Sequence, residues 1–271
     1  MWEKVQETVK FIQERTDNFE PTIGIVLGSG LGNFIDEIEI TYKIPYHQIP
    51  NFPTSTVEGH KGNLILGTIG SKKVIAMQGR FHYYEDYNMQ QVTFPIRTMK
   101  FLGVDTLIVS NASGGVNPSF QIGDIMIIKD HINAFPEHPL RGKNDERFGP
   151  RFLNMHNAYS PELIAIAKQQ AKTNDIPYKE GIYYGLQGPS FETLAEYKMV
   201  RLVGADCVGM STVPEVIVAK HMDISCFGIS IISDMGNEEG ITNLSHQEVL
   251  NAVKKAEPKA NSLIKNLIIN T

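Results

Sequence analysis

Four stretches of this 271-residue chain carry the residue types that hold and polarise an anion. In "GRFHYYEDY", Gly79 to Tyr87, Arg80, His82 and Tyr84 stand at alternate positions, so extended backbone projects all three to one side. The Arg80 guanidinium is a fork of donors matched to phosphate oxygens, and His82 adds another. Glu85 has the opposite parity and reaches the His82 ring to fix its tautomer only if the chain bends. In "IVLGSGLG", Ile25 to Gly32, three glycines alternate around Ser29, and glycines let backbone N–H groups come close to an anion. A dinucleotide fingerprint needs a glycine where this chain has Asn33, and no Lys-Ser or Lys-Thr pair completes a Walker loop. In "SNASGGVNPSF", Ser110 to Phe120, backbone N–H groups around Ala112 complete an anion nest. The fourth stretch is "GPSFET", Gly188 to Thr193, with "VGMSTVPE", Val208 to Glu215, which puts Ser211 at the mouth of a helix, where a hydroxyl and unpaired N–H groups suit an anion. Phe191 and Met210 there are apolar walls and Glu192 a buried acceptor. Taken singly, the glycine run reads about equally well as a strand-ending turn and "SNASGGVNPSF" also as a plain glycine turn, while for "GRFHYYEDY" a surface Arg80–Glu85 ion pair, and for Phe191 and Met210 core packing, is the better reading.

Residues so far apart need a scaffold that gathers them. Short β-branched runs ("TIGIVLG", "KVIAMQG", "TLIVSNASGG", "DIMIIKDHIN", "GIYYGLQG", "ADCVGMS", "SCFGISIISD") alternate with segments of helical apolar spacing. That alternation predicts an α/β fold with a covered, mostly parallel sheet. Ser160 followed by Pro161 predicts a helix start, and Thr212-x-x-Glu215 and Ser245-x-x-Glu248 read as capping boxes. Tyr42 to Gly62 and Phe135 to Tyr159, rich in Pro, Gly, His and charge, read as long connections of the kind that carry function.

Composition narrows the partners. A hydrophobic share of 42% over this length suffices for a sizeable core, and no linker or repeat divides 1–271, which predicts one domain. The net charge of −5, without a run of Lys or Arg, argues against nucleic acid or an anionic membrane. The N-terminal stretch lacks the pattern of a signal peptide and no segment has the apolar length of a membrane span, so a cytoplasmic location is expected. Cys207 and Cys226, each inside an apolar run, predict reduced core thiols. The eight histidines show no HExxH spacing, and no metal is expected.

Taken together, these stretches closely resemble the purine nucleoside phosphorylases of the homotrimeric type. The resemblance runs in the family's order through "IVLGSGLG", "VEGHKG", "GRFHYYEDY", "NASGG", "HPLRGKNDERFGPRF", "GPSFETLAE", "VGMSTVPE" and "SHQEVL". It implies a twisted mixed sheet forming a partial barrel surrounded by helices. It also implies reversible phosphorolysis: a purine nucleoside and inorganic phosphate give free base and ribose 1-phosphate, with no metal or organic cofactor. The resemblance places phosphate against Ser29, His60, Arg80, His82, the backbone of Ala112, and Ser211. It places ribose against Tyr84 and the backbone of Met210, with His246 near the 5′-hydroxyl and Phe191 as a wall. Phe152 matches an aromatic that enters the neighbouring subunit's pocket. Glu192 and Asp234 match the two base-reading positions, with Val208 packed against the base.

At position 234 the chain departs from the 6-oxopurine enzymes, which carry Asn there. An Asn amide donates to purine N7; an ionised carboxylate cannot. Asp234 therefore admits two readings if it faces the base, and a third in which it points away and a water or Ser233 reads N7. Protonated, with its pKa raised by burial and by a nearby acid, it suits inosine and guanosine. Ionised, it suits a 6-amino base, as in the related methylthioadenosine phosphorylases. Glu192 and His246 match the nucleoside phosphorylases and favour the first reading. A nucleoside hydrolase would instead need carboxylates holding a metal, and no Asp-rich cluster occurs.

Overall fold

The computed structural model describes residues 1–57, 61–236 and 245–271. Among them nine strands form one sheet: β1 (Ile23–Leu27), β2 (Glu39–Pro45), β3 (Asn63–Ile69), β4 (Lys72–Gln78), β5 (Thr106–Gly115), β6 (Ile125–Asn133), β7 (Lys179–Gly185), β8 (Cys207–Gly209) and β9 (Ser225–Met235). Their order is β2-β3-β4-β1-β5-β8-β7-β6-β9, and β9 also pairs with β5. That last pairing closes β5, β8, β7, β6 and β9 into a barrel, from which β1, β4, β3 and β2 extend as a wing. All seven strands expected from the sequence form. The sheet is mixed rather than mostly parallel: β1–β4, β1–β5, β5–β9, β6–β7 and β7–β8 run parallel, while β2–β3, β3–β4, β5–β8 and β6–β9 run antiparallel.

Two strands depart from the sequence reading. Strand β2 occupies the start of the expected Tyr42–Gly62 connection. It is an edge strand that buries only Ile44 fully and ends in Pro45, so it lacks a clean alternating signal. Strand β3 is a buried run that pairs along its whole length with β4. The segment 135–159 contains no strand or helix, as expected.

Helices cover both faces of the sheet. Helix α1 (Trp2–Arg15) buries Val5, Val9 and Ile12 on one stripe. Short α2 (Met89–Val92) leads into α3 (Phe94–Phe101), and α4 (Pro161–Thr173) starts where Ser160 accepts from the Leu163 N–H. Helix α5 (Leu194–Leu202) is capped reciprocally by Thr193 and Glu196. Helix α6 (Val213–His221) is buried almost all round: its apolar residues run through both faces, and Glu215 is buried with them. Helix α7 (His246–Asn270) lays Val253, Ala256, Ala260, Leu263, Ile264 and Leu267 on the sheet and against α4. Of its expected capping box, Ser245 accepts from the Glu248 N–H. Both cysteines are buried free thiols.

Candidate active site

The C-terminal ends of β1, β4, β5 and β9 converge with the starts of α6 and α7 around a cavity of about 340 Å³, a size that suits a small metabolite. The glycine run opens one wall. A Cβ on Gly28 would lie 2.5 Å from the Ser110 carbonyl oxygen and 3.1 Å from an Arg80 nitrogen, so only glycine lets the end of β1 sit against β5 and the guanidinium. Gly30 turns with φ +75 beneath Val253 of α7, and Ser29 faces the cavity between them.

Arg80 follows β4 directly and is 1% exposed. Its Nε and Nη2 donate to the two carboxylate oxygens of Glu215 at 3.2 and 2.7 Å, and Nη1 donates to the Ser110 carbonyl at 2.7 Å and to Ser211 Oγ at 3.1 Å. A buried guanidinium needs such a partner, because an unpaired charge there is costly. This arrangement overturns the expected Thr212-x-x-Glu215 capping box. Thr212 takes φ +70 and makes no side-chain cap; its hydroxyl accepts from Asn111 Nδ2 at 2.8 Å, and Glu215 turns to Arg80. The demand of a buried cation outweighs a helix cap worth about 1 kcal/mol.

His82 is held as its sequence context predicts. A 3₁₀ turn over Tyr83–Glu85 supplies the bend, bringing Glu85 Oε1 to 2.9 Å from His82 Nδ1 and 2.8 Å from the His82 N–H. Thr56 donates to Glu85 Oε2 through its N–H and its hydroxyl. Burial acts to raise the Glu85 carboxyl, but the bonds from His82 and Thr56 outweigh it and pull it down to about 2. Burial lowers His82 from its usual value, against the opposing pull of Glu85. The Tyr84 ring stacks on the imidazole, with centroids 4.7 Å apart.

The opposite end of the cavity is acidic. Asp234, at the end of β9, is buried; Ser233 Oγ donates to its Oδ1 at 2.8 Å and Tyr197 Oη to its Oδ2 at 3.1 Å. Burial pushes the Asp234 carboxyl up, against the pull of these two hydroxyls. Glu192 lies just before α5 with Oε1 buried and without a hydrogen-bond partner. Its carboxyl is pushed up to about 7 by burial, opposed by a backbone bond and Tyr197 and reinforced by Asp234 and Glu196. A shift in the β5–β9 register between Ser113 and Gly114 lets the strand bend beside Asp234, where a Cβ on Gly114 would come within 2.8 Å of Oδ2.

Between these ends Tyr84, Phe191, Val208, Met210 and His246 line the cavity, with Ala112 and Ser211 beside the cationic end. Thus Ser29, Arg80, His82, Tyr84, Ala112, Phe191, Glu192, Val208, Met210, Ser211, Asp234 and His246 are brought together. Phe152 is not: it stands 90% exposed on the 135–159 segment, away from this chain's cavity. His60 lies outside the described residues. Glu215 and Tyr197 are the functional neighbours that sequence reasoning missed. Nothing in the linear pattern signals either, since Glu215 meets Arg80 across 135 positions and Tyr197 reads as a core aromatic of α5. Among the described residues no group of three or more His, Cys, Asp or Glu is placed to hold a metal, and no helix is long and apolar enough to cross a membrane.

Comparison with known proteins bears on this geometry. A family model described as the phosphorylase superfamily matches residues 22–269. Purine nucleoside phosphorylase 1 of Bacillus subtilis is 49% identical over 270 residues, covering 99% of this chain and 98% of that protein. Purine nucleoside phosphorylase of Bos taurus is 44% identical, covering 98% and 94%. The crystal structure of isoform 2 of purine nucleoside phosphorylase from Schistosoma mansoni, in complex with cytosine and ribose-1-phosphate, superposes with a TM-score of 0.93 at 42% identity, covering 98% of this chain and 96% of that one.

Proposed function

The chain belongs to the purine nucleoside phosphorylases of the phosphorylase superfamily, and we propose that its substrates are 6-oxopurine nucleosides, inosine and guanosine, cleaved by inorganic phosphate. The observation that carries this reading is one cavity with a buried, carboxylate-braced guanidinium at one end and two carboxyls, Glu192 and Asp234, whose pKa values burial raises, at the other. Phosphorolysis needs both. Breaking the C1′–N9 bond builds positive charge on the sugar and negative charge on the base, and each is stabilised by groups already in position.

In this reading phosphate sits against Ser29, His60, Arg80, His82, the Ala112 backbone and Ser211. Glu215 fixes the guanidinium plane, and its charge leaves the net attraction for the phosphate dianion to the donors around it. The dianion favours the imidazolium form of His82, which then donates to phosphate through Nε2 and to Glu85 through Nδ1. A phosphate oxygen attacks C1′ of an oxocarbenium-like ribose held by Tyr84, Met210, Phe191 and His246. As the base leaves, ionised Glu192 accepts from N1–H and the Asp234 carboxyl donates its proton toward N7, with Val208 packed on the ring. Inorganic phosphate is a co-substrate, and the chemistry calls for no metal or organic cofactor.

The relative of known structure carries ribose-1-phosphate, the sugar product of such a reaction. We infer further that the chain works as a homotrimer in which the exposed Phe152 enters the neighbouring subunit's pocket, and that it acts in the cytoplasm on free nucleosides. Sedimentation of the purified chain tests the trimer, with three copies expected and a monomer active at full rate contradicting it. Base release from inosine and guanosine, with and without phosphate, tests the activity. Strict dependence on phosphate is expected, and release of neither base at any phosphate concentration would overturn the substrate reading.

A further inference from the structure

Asn33 stands where a dinucleotide fingerprint would carry its last glycine, and its role is visible only in the fold. The loop before it bears Ser29. The Leu31 N–H donates to the Gly28 carbonyl at 3.1 Å, which closes 28–31 into a turn with Ser29 and Gly30 at its centre. The shape of that turn is internal to it, but the direction in which it points is set by its two ends.

One end is fixed by the sheet, where the Gly28 N–H donates to Ser110 Oγ at 3.3 Å. The other end has two anchors. Gln78 Nε2, at the end of β4, donates to the Gly32 carbonyl at 3.3 Å. Glu257 on α7 takes Asn33 with both oxygens: the Asn33 N–H donates to Oε1 at 3.3 Å and Nδ2 to Oε2 at 3.1 Å. That N–H belongs to the first turn of the 3₁₀ helix Gly32–Glu37, whose leading N–H groups have no partner inside the helix. Val253, one turn before Glu257, presses on the middle of the loop, since a Cβ on Gly30 would come within 2.7 Å of it. His246 and Val249 continue the same stripe into the cavity at the spacing of one helix face. One face of α7 thus runs from the cavity to the back of the anion loop.

Glu257 is a costly way of merely holding two elements together. It is 6% exposed, and among the described residues its hydrogen-bond partners are the two Asn33 donors, with no cation. A buried carboxylate without a counter-charge destabilises a fold relative to an apolar side chain, and Ala256, Ala260, Leu263 and Ile264 already pack α7 on the core. What an apolar residue cannot do is accept two directed hydrogen bonds and so fix where Asn33 sits.

We propose that Glu257 is a positioning residue for phosphate: by clasping Asn33 it fixes the far end of the 28–33 loop, and hence the place of the Ser29 hydroxyl. The inference rests on the phosphate reading given above and adds a residue, outside the cavity lining, on which that subsite depends.

The test is steady-state kinetics of inosine cleavage, with phosphate and inosine varied separately, for the full-length protein, Glu257→Ala, Ser29→Ala and the double variant. Glu257→Ala is expected to raise the phosphate KM about tenfold, the effect of one hydrogen bond to a charged group, while the inosine KM moves by less than about twofold. Because Glu257 acts through Ser29, adding Glu257→Ala to Ser29→Ala is expected to raise the phosphate KM by less than about twofold more. An unchanged phosphate KM in Glu257→Ala overturns the proposal. So does a rise matched by an equal rise in the inosine KM, the mark of a general loosening, and so does full additivity in the double variant. Should Glu257→Ala not fold, Asn33→Ala, at an exposed position, removes one of the two bonds and is read in the same way, with a several-fold rise in the phosphate KM expected. Inosine cleavage by the native chain that does not depend on phosphate would instead sink the phosphate reading beneath it.

Discussion

The cationic and acidic ends of the cavity are built on opposite principles. At the cationic end every charge has an answer: Arg80 is clasped by Glu215, and His82 by Glu85, which Thr56 holds in turn. At the acidic end two carboxyls face each other's field with two hydroxyls, those of Ser233 and Tyr197, beside them and, among the described residues, no cation between them, and burial pushes both toward holding protons. A site for an anion that always carries charge is best made rigid and fully paired. A site for a base that gains negative charge only as its bond breaks needs a proton in reserve. The difference teaches where each end is fragile: the first to loss of a partner, the second to pH.

The largest effect expected from breaking this contrast is at Arg80. Arg80→Ala leaves Glu215 as a buried, unpaired carboxylate, which costs about 3–5 kcal/mol of stability in addition to the lost phosphate ligand. Denaturant unfolding and the phosphate KM both report it. If stability is unchanged, the pair is not the brace described here. At the acidic end Glu192→Gln is expected to slow inosine cleavage by about 3 kcal/mol in the barrier, roughly a hundredfold, while stability holds or rises because an orphaned acid is removed. A single pair of measurements, unfolding and turnover, thus separates the two ends.

Smaller effects sharpen the comparison. The Glu192 carboxyl is raised to about 7 in the folded chain from an ordinary value of 4.5, so its contribution to stability is fully present below the ordinary value and is lost as pH rises through about 7. Thermal stability is therefore expected to fall over that interval, while inosine kcat/KM, which needs Glu192 ionised to accept from N1–H, is expected to rise. In Asp234→Asn the amide supplies the N7 donor at every pH, so the fall in inosine kcat/KM that follows when Asp234 loses its proton is expected to vanish. Its persistence would detach Asp234 from the pH dependence. Glu85→Gln, which keeps the shape but removes the charge that supports the imidazolium, is expected to lower phosphate-dependent kcat/KM by about tenfold. Least disruptive of all is Phe152→Ala: exposed as it is, it should alter monomer stability by less than about 0.5 kcal/mol, yet raise the nucleoside KM if it enters a neighbour's pocket.

What the sequence discloses follows the same division. Local features are legible: the alternate spacing of Arg80, His82 and Tyr84, the glycines around Ser29, the seven strands with strong apolar runs, and the bend that Glu85 requires. Strand β2 escapes because an edge strand with exposed side chains carries little hydrophobic signal. The mixed sheet and its barrel are legible through the family resemblance and not through the apolar runs, because strand direction is set by barrel closure, a property of the whole chain. Glu215 is misread as a cap because its partner lies 135 residues away, and a buried cation overrides local helix chemistry. Tyr197 escapes for the same reason, since only the fold shows that an aromatic on the core face of α5 ends its reach at the Asp234 carboxyl.

The most direct measurement is base release from inosine by the purified chain, followed with and without inorganic phosphate. Hypoxanthine and ribose 1-phosphate appearing together, and only when phosphate is present, is the predicted result. Hypoxanthine released at the same rate without phosphate would contradict the account, because the clasped Arg80 and His82 would then have no anion to present to the sugar.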